Sequence, residues 1–353
     1  MRASSRTTVP IRSVLLVLCA ALGLGLVGIL TRATLAQQSW PADFYTVRDV
    51  PLPGDTSRWD YESLDPLSHR LYVTHLGAGT VAVYDTGAGS IIGEIRDVPG
   101  VHGVLVIPEL GRVYATATNA NQVAVIDPQT LAVTATIPGG VYPDGMAYDP
   151  ELGKLYVSDE TGGTDTVIDT TSNQVVATVS LGGDVGNTQY DSVSHQIFVA
   201  VRTRNQVVTI DPKSDQVSGR YDTPGCDHPH GVQLSPDRRM AFIACEANAK
   251  LVVMDLQSMT ITESHDVGTV PDVLAFDAPR RILFVAAENG PLTALFETDT
   301  GLKPLAQRDV GPNAHAVAVD PESGHVYVPL ANFGGQPVLR ELSVAAPTSD
   351  DTD

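Results

Sequence analysis

The sequence predicts an all-β chain folded as a seven-bladed β-propeller of four-stranded blades, the last blade closed by an N-terminal strand. Three phase-locked markers predict it. An aromatic, mostly followed by valine, ends a short strand pattern at Tyr72, Tyr114, Tyr156, Phe198, Phe242, Phe284 and Tyr327, in steps of 42, 42, 42, 44, 42 and 43 residues. Asp65-Pro66, Asp149-Pro150 and Asp320-Pro321 keep nearly the same step, in phase with Asp191, Asp277 and Pro236. The third marker ends a later strand: Val83-Tyr84-Asp85, Val125-Ile126-Asp127, Val167-Ile168-Asp169, Thr209-Ile210-Asp211 and Val253-Met254-Asp255. Repeats of this length, with no helical stripe, match propeller blades rather than leucine-rich or helical arrays.

Each unit reads as four short strands. In the second these are Gly103 to Ile107, Arg112 to Thr116, Gln122 to Ile126 and Ala132 to Ile137. Val, Ile, Tyr and Thr fill the runs, while Asp-Pro, Asn and Gly occupy the gaps. No stretch after residue 37 repeats its apolar residues every 3.6 positions, so helices should be few or absent. The last unit, from Ala316 to about Val344, supplies only three strands. Tyr45 to Leu52 has the character of an outer strand and is expected to complete the seventh blade, covering its exposed edge.

The ends read differently from the propeller of 37–344. Arg2, Arg6 and Arg12 precede an uncharged apolar run, 14–30, followed by Ala33-Thr34-Leu35-Ala36. Residues 1–36 therefore read as an export signal or, if uncleaved, an N-terminal membrane anchor. The acidic end, 345–353, reads as a disordered tail. A periplasmic or extracellular, monomeric protein is expected, tethered to a membrane through 14–30 if at all.

The chain has 353 residues and a net charge of -19 at pH 7. That field repels nucleic-acid phosphates and favours small cations, cationic ligands or basic protein partners. Beyond the leader only Cys226 and Cys245 remain. An oxidising compartment permits a disulfide between them. The segment Cys226-Asp227-His228-Pro229-His230 offers the alternative of a Cys/His site for a soft metal.

In a propeller the first strand of each blade lines the central channel. Twelve residues before each blade aromatic stand Asp60, His102, Asp144, Gly186, His230, Asp272 and His315. The period thus gathers three histidines and three aspartates at one channel mouth. Gly186 interrupts the ring, with Asn187 beside it to supply an amide. The second strand returns toward the same mouth and adds His75, Asp159 and Cys245, then Glu160, Arg202, Glu246 and Glu288. Asp60 is expected to pair with His75, and Asp144 with Asp159 and Glu160. These residues form a candidate ligand site. His102, His230 and His315, with His228, are candidate ligands for zinc, copper or manganese. The same types suit general acid–base work, or simply hydrogen-bond neighbouring blades together. His69, His195 and His325 fall in turns on the opposite face. Trp59 is either an apolar wall of the mouth or core packed against the seventh blade.

The recurring Tyr-Val followed by Val-x-Val-Ile-Asp resembles the YVTN family of β-propellers, and the organisation is similar to the YncE-like exported proteins. Tyr72-Val73-Thr74-His75 comes nearest to the family's full tetrapeptide. The resemblance covers about residues 43–344 and implies the propeller fold. Related propellers include lactonase-like enzymes, a streptogramin lyase and the heavy chain of methylamine dehydrogenase, so it assigns no single activity. The leading expectation is an exported propeller binding a cation, small ligand or partner protein at the channel mouth. The alternative is a metal- or His/Asp-dependent enzyme of lactonase or lyase type at the same place.

Overall fold

The structure, a computed structural model, describes residues 42–344. The leader read in 1–36 and the tail read in 345–353 lie outside the described residues. Twenty-eight strands form seven antiparallel sheets of four, and the only helical pieces among the described residues are four single 3-10 turns. In the second blade the strands run Val101–Ile107, Arg112–Ala117, Gln122–Asp127 and Ala132–Pro138, within two residues of the expected bounds.

Both aspartate markers do the same job. Asp65, Asp149, Asp191, Asp277 and Asp320 accept a backbone N–H two or three residues on, closing the first turn of a blade. Asp85, Asp127, Asp169, Asp211 and Asp255 cap the third turn in the same way. A short carboxylate gives the turn amides an acceptor that the sheet ladder does not. The seven blade aromatics are all buried between sheets, each contributing about 1.5–3 kcal/mol by the apolar area it removes from water.

Neighbouring blades are also stapled by polar groups. Arg70, Arg112 and Lys154 stand at equivalent positions, and each donates to a backbone carbonyl in the outer turn of the next blade, respectively Pro128, Thr170 and Pro212. Nearer the axis, Thr74 and Thr116 donate to the carbonyls of His102 and Asp144, one blade on.

The ring closes as expected. Phe44–Pro51 pairs antiparallel with Gln336–Val344, placing Phe44 opposite Val344 and Pro51 opposite Val338. Buried Glu341 fastens the junction, with Arg48 at 3.1 Å, His325 at 2.7 Å and the Tyr84 hydroxyl donating at 3.1 Å. His325 is thus tied into the seam, whereas His69 and His195 stay exposed in their turns. Trp59 is core: it packs with Leu71 and Tyr84 of the first blade against Tyr327 and Leu339 of the last.

Candidate functional site

All six long inner strands share one irregularity. Between their first and fourth residues the register with the second strand slips. Two residues per blade leave the ladder there, which is how a bulge re-aims side chains. The first of the two is the ring position, occupied by Asp60, His102, Asp144, Gly186, His230 and Asp272. The second is Tyr61, Gly103, Gly145, Asn187, Gly231 or Val273. Glycine recurs because blades nearly touch at the axis. A Cβ on Gly103 would lie 2.1 Å from the Asp144 carbonyl oxygen, and one on Gly231 2.0 Å from that of Asp272. Gly186 breaks the ring for the same reason, a Cβ there standing 2.6 Å from the His230 carbonyl oxygen.

These bulges line a polar cavity of about 150 Å³ at the channel mouth. Nine residues expected from the sequence converge on it: Asp60, His102, Asp144, Glu160, Arg202, His230, Glu246, Asp272 and Glu288. Arg58, Tyr61 and Tyr142 join them and were not anticipated. Arg58 and Tyr142 occupy one repeat column, fourteen residues before the blade aromatic, so the period that exposed the ring also carried their signal.

Two guanidiniums organise the rim. Arg58 donates to Asp60 at 3.2 Å and to Glu288 at 3.0 Å, and pairs with Asp272 at 3.6 Å. Arg202 donates to Glu160, and to Glu246 at 2.6 Å. Six carboxyl groups therefore face two arginines. His230 lies 2.8 Å from Asp272, an ion pair outside hydrogen-bond alignment. Burial alone would lower the imidazole, but the Asp272 carboxylate outweighs it and pushes His230 up to about 9. Asp272 is held below the usual carboxylate range by His230 despite its own burial. Asp144 is the opposite case. Burial, and then the Asp60 carboxylate, raise it well above the ordinary range, and its buried Oδ1 has no hydrogen-bond partner.

The remaining candidates sit elsewhere. His75 does not meet Asp60: it is fully buried, stacks on Trp59 at 4.0 Å, and turns its Nε2 to the Ser57 hydroxyl at 3.0 Å. Its strand places it opposite Trp59, so it points into the seam between blades. Asp159 does not join Asp144 either. It accepts from the Gly140 amide and the Thr164 and Thr166 hydroxyls, capping its own turn. Asn187 lies deeper in the channel, accepting from the Tyr61 hydroxyl. His315 stands behind the rim, buried, its Nε2 3.7 Å from Asp60.

Among the described residues no three His, Cys, Asp or Glu side chains stand in metal-holding geometry. His102, His230 and His315 share one end of the channel, but each ring has its own engagement. The His102 Nδ1 lies 3.0 Å from both the Gly100 carbonyl and the Thr118 hydroxyl, and its Nε2 3.1 Å from the Tyr142 hydroxyl. His228 is half-buried beside Asp227, away from the cavity. The cysteines form the disulfide Cys226–Cys245, which removes the soft-metal alternative and ties the loop before His230 to the end of the strand Met240–Cys245, just before Glu246.

Known proteins resemble this chain in fold. No family model matches the sequence, and no curated protein does. A solved structure described as Kuenenia stuttgartiensis hydrazine synthase superposes with a TM-score of 0.69 at 14% identity, covering 90% of this chain and 99% of that one. At that identity the likeness concerns the propeller architecture alone.

Proposed function

We propose that this is an exported propeller of the YVTN, YncE-like kind that binds a small organic cation at its channel mouth. One observation carries the reading: Asp144, whose buried Oδ1 has no partner, lines a cavity where carboxyls outnumber guanidiniums. A buried acceptor without a partner costs free energy that a ligand's N–H recovers. The paired arginines hold the rim carboxylates in place while leaving negative charge in excess. The disulfide suits an oxidising compartment. Binding is favoured over base catalysis because His230, pushed up to about 9, holds its proton at neutral pH and is a poor proton acceptor there.

The test is calorimetric titration with 1,4-diaminobutane at pH 7, against succinate as an anion of similar length. Saturable binding of the diamine, weakened at least tenfold by Asp144→Asn, is expected. Equal binding of succinate, or an unaffected variant, refutes the reading.

A further inference from the structure

The channel is not one space. Tyr61 occupies the second bulge position, where blades two, three and five carry glycine, and the room left there lets its ring cross the axis. Its hydroxyl donates to Asn187 of the fourth blade. Tyr61 borders both the mouth and a second chamber below it, of about 300 Å³. The inner strands of all seven blades enclose this chamber.

Glu62 is the one ionisable carboxyl lining it. Lysine, arginine and histidine are absent from its described walls. Both Glu62 oxygens are shut from solvent and neither makes a well-formed hydrogen bond, the Ala318 amide being a donor in reach. The chamber wall also carries the amides of Asn187, Gln189 and Gln233, and apolar groups such as Val104 and Phe276. We propose that this lower chamber is a second binding site, independent of the mouth, for a compact organic monocation: an alkylammonium whose head meets Glu62 and whose short chain lies against the apolar wall.

The chemistry selects that class. An anion would face a carboxyl with no cation to compensate. A hard divalent ion needs six or more oxygen ligands with several charges among them, and one carboxyl does not supply them. A single ammonium matches one carboxylate, and its remaining N–H bonds find amide carbonyls. The volume holds a ligand of a few heavy atoms, at about 30 Å³ for each water it displaces. Burial raises Glu62 well above the ordinary carboxyl range, so binding an ammonium draws the proton off and releases it to buffer.

The experiment is calorimetric titration of butylammonium chloride into the Asp144→Asn protein, where the mouth is disabled, in phosphate and in Tris at pH 7. Saturable one-site binding, with enthalpies that differ between buffers by the signature of proton release, is expected. Glu62→Gln in the same background should weaken binding at least tenfold and abolish the buffer dependence. Unchanged binding in that variant, absence of binding, or equal affinity for 1-butanol overturns the proposal. Because the mouth is read with 1,4-diaminobutane in the unaltered protein, either site can fail without the other.

Discussion

Asp165 gives the sharpest test of the electrostatics. Its repeat position is aliphatic in five other blades, as Val81, Val123, Val207, Leu251 and Leu292. Here a carboxyl is fully buried between the third and fourth blades, with neither oxygen in a well-formed hydrogen bond, the Thr188 hydroxyl being a donor in reach. Burial, and then the nearby Asp159 carboxylate, push it up to about 8 from 3.8. The native state therefore holds a proton that the unfolded chain has already lost. With a folded value above the unfolded one, its contribution to stability is complete below about pH 4 and is lost as pH rises to about 8. At pH 7 roughly three units of that difference have been spent, on the order of 4 kcal/mol at 1.36 kcal/mol per unit. Replacing Asp165 by asparagine keeps the shape and removes the titration. Replacing it by valine restores the pattern of the other blades. Urea denaturation midpoints of wild type and Asp165→Asn, measured at pH 4, 6, 8 and 9, should diverge steadily from pH 4 to 8 and run parallel above. Parallel curves throughout would refute the argument, since every other buried carboxyl is common to both proteins.

Three further outcomes follow from the site's construction. Gly231→Ala places a methyl 2.0 Å from the Asp272 carbonyl oxygen; it should cost about 1–3 kcal/mol by overpacking, read as a lowered urea midpoint, whereas Gly182→Ala, tested as a control for its left-handed backbone alone, meets nothing within 4 Å. Reducing Cys226–Cys245, which closes a loop of sequence separation 19, should cost about 3 kcal/mol in the chain-entropy account, seen as a lower midpoint with reductant and none in a Cys226→Ala/Cys245→Ala protein. Arg202→Gln strips a cation from between Glu160 and Glu246 and should raise diamine affinity about fivefold, roughly 1 kcal/mol of removed repulsion near a screened surface, with calorimetry as the check.

The repeat made the blades, the closing strand and the ring column legible, because a 42-residue period places equivalent residues at equivalent points of a closed ring. What it concealed is where one side chain departs from its column. His75 and Cys245 share a column, yet one stacks on a tryptophan and the other joins a disulfide. His228 and Arg58 share another, yet His228 takes a left-handed backbone at φ 55° and remains outside, while Arg58 bridges Asp60 to the carboxylates of the sixth blade. Column membership fixes the position of a Cα; charge and local space decide where the side chain goes. Arg58 is drawn inward by Asp60, two residues on, and by Asp272 and Glu288, which lie more than two hundred residues further along the chain.

The same reasoning explains why the channel could diversify without loss of the fold. Bulge residues donate little to the sheet ladder, so substituting them leaves the blade's hydrogen bonds largely intact. Their limits come from the neighbouring blade: Gly103, Gly186 and Gly231 are fixed by backbone approach, and the open space they create is what admits Tyr61. Stability here constrains which positions must be small, and those small residues in turn define the two compartments that chemistry can occupy. A Tyr61→Ala protein is the direct consequence to examine. It removes the Asn187 contact and the bar between compartments, so the diamine and butylammonium sites, independent in the unaltered channel, should become competitive in calorimetry. Continued independence would mean that the partition is made by something other than this side chain.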